Sequence, residues 1–242
     1  MRQLLQKASG LRLGVLIWLL ALSGCAAVAP AVDSPAVRPA APSADAFWWY
    51  LRFRMDWPEG KPPAWHMDLL LADQVVRPVL ERRQADIALW RFHRRAARDG
   101  AGHQFSFIFY ATPETARNVF AEVDASPVLG SARTAGRVAA VLQDDPLNPS
   151  RPGRGDTGDP AWSTALRTAW PDYLMGASRT WLSLVSQMAA SPPPAALDLV
   201  QMEDAYARAN ASVTAVWREE GRHAFLHHLN ALFGYEPLQM RF

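Results

Sequence analysis

The sequence predicts an α+β fold: a small antiparallel sheet built in the N-terminal half and packed by helices from the C-terminal half. Three observations predict it. Residues 47–57, FWWYLRFRMDW, carry an apolar side chain at every odd position, and strict alternation is the signature of a half-buried strand. The runs 87–96 and 103–111 are also strand-like, and Asp99-Gly100 between them supplies the chemistry of a hairpin turn. Beyond Thr112 the apolar residues recur at helical spacing, and strands followed by helices indicate segregated elements rather than an alternating α/β order.

In the first strand Phe47, Trp49, Leu51, Phe53, Met55 and Trp57 mark the core side, with Arg52, Arg54 and Asp56 opposite. A helix is expected over 74–84. In the hairpin Phe105, Phe107 and Phe109 share one side. Thr112-Pro113-Glu114 then reads as an N-cap, a proline at the first helical position and an acid in the first turn. Ala116, Val119, Phe120 and Val123 continue that helix. Residues 144–160, DDPLNPSRPGRGDTGDP, are a long surface loop rich in turn formers, and its RGD triplet is too short to carry meaning. Trp162, Leu166, Ala169 and Trp170 suggest a short helix ended by Pro171. Asp172 opens another, with Leu174, Ala177, Trp181, Leu184, Val185 and Met188 as its stripe. SPPP at 191–194 breaks the chain. Leu199, Met202, Tyr206, Ala209, Val213 and Val216 form the cleanest amphipathic pattern of the chain. A last helix is expected over 220–233, with the tail EPLQMRF returning as an edge strand.

The first 25 residues have another character. Arg2, Lys7 and Arg12 are basic, no acid precedes Asp33, and Leu13 to Leu22 is an unbroken apolar run followed by the small Ser23 and Gly24. That order is the plan of a secretory signal peptide, and the run is too short to cross a bilayer, which takes about 20 residues as a helix. Leu22-Ser23-Gly24-Cys25 resembles the lipobox of bacterial lipoproteins. The resemblance implies a diacylglycerol on the sulfur of Cys25, cleavage just before it, and acylation of the new amino group. The chemistry takes a cysteine because the thiolate is the nucleophile. Ala26 stands where an aspartate retains such proteins at the inner membrane, so the resemblance implies the inner leaflet of the outer membrane, facing the periplasm. The expected division is a signal peptide (1–24), an acylated cysteine with an Ala/Pro-rich tether (25–46), and one globular domain (47–242). Extended at ~3 Å per residue, the tether reaches about 60 Å. The globular residues are assigned to no named family.

Charge and cysteine content narrow the function. The chain has 25 Lys+Arg against 23 Asp+Glu, a net +2. Cleavage before Cys25 removes three basic residues and leaves 22 against 23, a net −1. Nucleic-acid binding therefore has no compositional support. Cys25 is the single cysteine, so the domain itself has no disulfide, thiolate metal site or cysteine nucleophile. The covalent lipid on Cys25 is the only expected prosthetic group. No Gly-x-Ser-x-Gly elbow, phosphate-binding loop or His-Glu-x-x-His occurs.

Three constellations are candidate sites. Glu220, His223 and His227 fall on one helical face, a spacing used by carboxylate and histidine metal ligands; a solvated face is the competing reading. The run from Arg77 to Arg98 includes Arg91, Arg94 and Arg95, whose guanidinium forks suit phosphates and carboxylates; an ordinary solvent face competes. Trp48 and Tyr50 would lie on the uncovered side of the first strand, as an aromatic contact for protein, glycan or lipid; core packing competes. Three functions follow: a non-enzymatic envelope module that binds a protein, glycan or lipid partner, a carrier of an apolar ligand or lipid, and a periplasmic enzyme with a His/Glu metal site. The first is preferred, and no catalytic residue is assigned.

Overall fold

The computed structural model describes residues 45–148, 150–189 and 198–235. The lipobox, most of the tether, the SPPP segment and the C-terminal tail lie outside the described residues. The domain is α+β, as its sequence predicts. Strands β1 (Phe47–Met55), β2 (Leu89–Ala96), β3 (His103–Ala111) and β4 (Val138–Gln143) form one antiparallel sheet in the order β2-β3-β1-β4. Odd-numbered residues of β1 and β3 enter the core: Trp49, Leu51, Phe53, Phe105, Phe107 and Phe109 are all fully buried. Trp57 lies past the end of β1 instead, with the Arg98 guanidinium 3.5 Å over its ring. The hairpin turn is held by Asp99, whose Oδ1 accepts from the N–H groups of Ala101 (2.9 Å) and Gly102 (3.3 Å). Gly102, at φ 65°, takes the left-handed position there, a conformation that favours glycine.

One face of the sheet carries the helices. The deepest, α1, starts earlier than the sequence suggests. It runs over 65–82 as Trp65–Leu70, a π-helical segment Leu71–Val76, and Arg77–Arg82. Nearly every side chain from Met67 to Val76 is buried. A helix buried on all sides has no polar face, so the periodicity that betrays a surface helix is absent. Helices α2 (Pro113–Asp124) and α3 (Pro127–Thr134) follow β3. Thr112 caps α2 by accepting from the N–H of Thr115 at 3.2 Å, as its sequence predicts. Ser126 does the same for α3.

Helix α4 (Thr164–Ala189) is continuous through Pro171, where the sequence suggests a break. Proline in a helix interior costs about 3 kcal/mol, so packing must offset it. Pro171 is buried, Trp170 stacks on Tyr173 at 5.2 Å, and Trp162 meets Trp170 edge-on at 5.0 Å. The buried stripe is Pro171, Ser178, Leu182, Val185 and Ala189, rotated from the predicted one; Ala177 and Met188 are exposed. Ser178 decides the rotation: its Oγ accepts the N–H of Phe92 on β2 at 3.1 Å, which occupies a donor on the sheet's edge strand. Helix α5 (Leu199–Val216) buries Met202, Tyr206, Ala209 and Val213, as its sequence predicts. It continues into a π-helical segment, Trp217–His227, and a last turn, His228–Leu232.

Candidate anion-binding face

The pleat that sends odd residues of β1 into the core sends even ones to the opposite face, where α4 reaches only the aromatic end, through Met175. Strand register arranges that face in rows. Leu89, Tyr110 and Trp48 form the first, and Arg91, Ile108 and Tyr50 the second. His93, Ser106, Arg52 and Leu142 form the third, and Arg95, Gln104, Arg54 and Ala140 the fourth. The face is thus aromatic at one end and basic at the other.

The aromatic end is closed. Trp48 is 1% exposed, so it does not form the open patch that alternation alone suggests. The loop after β4 lies over it. Trp48 donates its backbone N–H to Pro152 O (3.0 Å) and its indole N–H to Arg154 O (3.1 Å), while Arg151 donates to Trp48 O (3.1 Å). Asp144 anchors the loop: its Oδ2 accepts the N–H of Tyr50 at 2.8 Å, and its own N–H donates to Tyr50 O at 3.1 Å. The loop therefore continues the pairing of β1 beyond the end of β4. Ala46, Trp48, Leu89, Ile108 and Tyr110 form a small second core beneath it. Tyr50 stays half-buried, with the Arg52 guanidinium 4.6 Å over its ring.

The basic end is open. Arg52, Arg54, Arg91 and Arg95 stand on it with His93, and none of its strand positions is acidic. Strands lie about 4.8 Å apart and alternate residues about 7 Å apart, so Arg54 and Arg95, two strands apart, are separated by ~10 Å at the backbone. Two arginines have partners at the margin. Arg95 forks onto Asp99, holding that carboxyl well below the usual carboxylate range, and Arg52 reaches Asp144 at 3.4 Å. Arg54 and Arg91 pair with no carboxylate among the described residues, and the Nε of each is buried without a hydrogen-bond partner. The Arg91 guanidinium lies 5.7 Å from the Trp48 ring centroid.

His93 reports the local charge. Burial first, then Arg91 and Arg95, hold its pKa below the ordinary 6.5. An imidazole titration followed by NMR will therefore show a midpoint below 6.5, and Arg91→Gln will raise it; an unmoved midpoint would contradict the charge density described. The sign for folding follows. The unfolded chain binds this proton more readily, so the contribution of His93 to stability is full above about pH 6.5 and declines as the pH falls below it.

The chain matches no family model, no curated protein and no solved structure.

The fold divides the arginine run by its geometry. Arg77 pairs with Asp73 and Glu81, and Arg82 and Arg83 with Glu122. Arg91 and Arg95 share the open face, but Arg94 points to the opposite side, into the helices. Its Nε donates to Asp68 Oδ2 at 2.8 Å, its Nη2 to Trp65 O at 2.9 Å, and it lies between the rings of Trp65 (5.0 Å) and Trp181 (5.3 Å). Asp68 also meets His103 Nε2 at 3.0 Å, and both residues are 0% exposed. A second acid of α1, Asp73, accepts from Tyr206, from Ser186, and from Arg77 Nε at 2.8 Å. Burial and then the Asp73 carboxylate push the Tyr206 phenol far up. Neither cluster is among the sites read from the sequence. The signal was present: MDLLLADQVV sets two aspartates and one glutamine in an otherwise apolar run, and buried acids need partners.

His223 and His227 come together on the C-terminal helical segment, their rings stacked at 4.9 Å, with His227 Nε2 3.4 Å from the Tyr235 hydroxyl. Among the described residues, no three His, Cys, Asp or Glu side chains converge into a metal-holding group, so Glu220 does not complete one with them. Gly221 sits under the stacked rings of Trp217 and Phe225, inside the helix rather than at its start.

Proposed function

We propose that this chain is a lipid-anchored envelope protein whose domain is a non-enzymatic binding module, working through the basic face of its sheet. The observation that carries the reading is a sheet covered by helices on one side and armed with unpaired Arg54 and Arg91 on the other. A helix-backed sheet is a rigid platform, and arginine forks aimed away from the core suit an oxyanion partner. The likeness of Leu22-Ser23-Gly24-Cys25 to a lipobox supports an anchor at Cys25, and Ala26 supports the outer membrane. No helix among the described residues is long and apolar enough to cross a membrane.

Metabolic labelling with palmitate and fractionation of the native envelope test the anchor. The expected result is label in the wild type, none in Cys25→Ser, and release of Cys25→Ser from the outer-membrane fraction. Retention of an unlabelled Cys25→Ser chain in that fraction would overturn it. Crosslinking from positions 54 and 91 in native envelopes tests the face, where recovery of only self-reacted protein would count against it.

A further inference from the structure

We infer that the open face of the sheet docks flat on the anionic phospholipid headgroups of the bilayer, with lipid phosphates as the acceptors that Arg54 and Arg91 lack. The inference rests on the proposed binding role of this face and names its occupant.

Charge complementarity chooses the occupant. Four arginines and His93 occupy the lower rows of the lattice, and no acidic residue points from a strand to this side. Arg52 and Arg95 are paired with Asp144 and Asp99, whereas the Arg54 and Arg91 guanidinium groups meet no carboxylate among the described residues, which leaves their charge for a partner outside the fold. Phosphate oxygens accept from a guanidinium fork in two parallel bonds. The sheet surface favours an extended partner. A small ligand takes a concave site, whereas this is a sheet surface. A protein interface is organised around buried aromatic anchors, and here the aromatic end is sealed under the 144–163 loop, with Trp48 fully covered. What remains is an array of guanidinium groups spaced by the strands, with Arg54 and Arg91 free of carboxylate partners among the described residues, which a fluid plane of phosphates can match without a fixed register. Tyr50 and Leu142, the latter 39% exposed, flank the array and provide the amphipathic contact favoured at headgroup level.

The full chain carrying Cys25→Ser, and so without lipid, is sedimented with phosphatidylcholine vesicles made with and without phosphatidylglycerol. Phosphatidylglycerol should tighten binding, and salt should weaken it. Each arginine near an anionic surface contributes about fivefold, so Arg54→Gln/Arg91→Gln should lose ~30-fold on the anionic vesicles. Arg54→Lys/Arg91→Lys, which keeps the charge, should lose much less. Arg117→Gln/Arg179→Gln removes the same charge from exposed positions on α2 and α4 and should bind like the parent. Circular dichroism of each variant confirms folding, and Arg91→Gln alone serves if the double variant is unfolded. Equal loss in both double Gln variants, or parent binding indifferent to phosphatidylglycerol, overturns the inference. So does crosslinking to an acidic protein from position 54 without vesicle binding. Palmitate labelling of the wild type is independent of these outcomes, so a lost lipid surface and a lost anchor are told apart.

Discussion

Asp68→Ala will destabilise the domain by about 3–5 kcal/mol, the cost of breaking a buried ion pair by removing one partner. Among the described residues Asp68 is the sole carboxylate bonded to Arg94 Nε (2.8 Å) and to His103 (3.0 Å), and neither it nor His103 reaches solvent. Alanine leaves the half-buried Arg94 guanidinium without its counter-charge and the buried His103 ring without its hydrogen-bond partner. The measurement is a urea transition, where the midpoint should fall while the slope is kept; thermally, the loss amounts to about 10 °C for a domain of this size. A loss below about 1 kcal/mol would show that Arg94 finds another partner and that the pair is not what closes this corner of the core. The converse substitution separates pairing from burial. An apolar triple replacement, Asp68→Leu/Arg94→Met/His103→Leu, should recover most of the loss, because well-packed apolar groups are often at least as stabilising as a buried ion pair. If the triple variant is no better than Asp68→Ala, the cluster holds the strands in place by its hydrogen bonds.

Trp49→Ala will cost about as much, 3–5 kcal/mol, by a different route. Trp49 sits on the central strand with no exposed surface, and its indole N–H donates to Ala111 O at 2.9 Å. Phe47 packs edge-on against it at 6.4 Å, and the Arg151 guanidinium lies 4.9 Å from its ring. Truncation leaves a cavity in the middle of the sheet, removes a donor to a buried carbonyl, and takes away the ring against which Arg151 of the long loop packs. Trp49→Phe should lose roughly half as much, since it keeps most of the apolar volume and forfeits the hydrogen bond. Proteolysis adds a readout specific to the loop: cleavage within 144–163 should accelerate in Trp49→Ala beyond the rise that its lower global stability explains. Unchanged relative protection of the loop would refute the link between Trp49 and its order.

The sequence is most legible where residues alternate. In β1 and β3 the period of two shows the strands and their inner sides, because successive side chains point to opposite faces; that the outer side is also closed around Trp48, Ile108 and Tyr110 depends on the distant loop after β4. The capped start of α2 is legible for a local reason, as Thr112 and Pro113 do their work within one turn. Helix α1 is hidden because Leu69, Leu70 and Leu71 are all needed inside, which erases the polar stripe. Helix α3 and β4 are short, and VAAVLQ is weakly patterned. The continuity of α4 across Pro171 depends on Trp162, Trp170 and Tyr173 meeting in space, which overrides a local breaker. The candidate face was half legible. Arg91 and Arg95 belong together, and the two-residue period already separates Arg94 from them, sending it inward to Asp68. That Arg52 and Arg54 join Arg91 and Arg95 depends on register between distant strands, Tyr50 opposite Ile108 and Ile108 opposite Arg91, which no local pattern contains.

The long loop also has a mechanical consequence. In a chain held at its N-terminal end, any tug enters the domain at the first residue of β1. Near that end β3 grips one side of the strand, while Asp144 and Pro152 grip the other. Several hydrogen bonds must then rupture together, because the load runs along the strand instead of peeling it from an edge. Rupture under force is governed by the rate of unfolding rather than by equilibrium, and a strand clamped on both flanks is built to slow that rate.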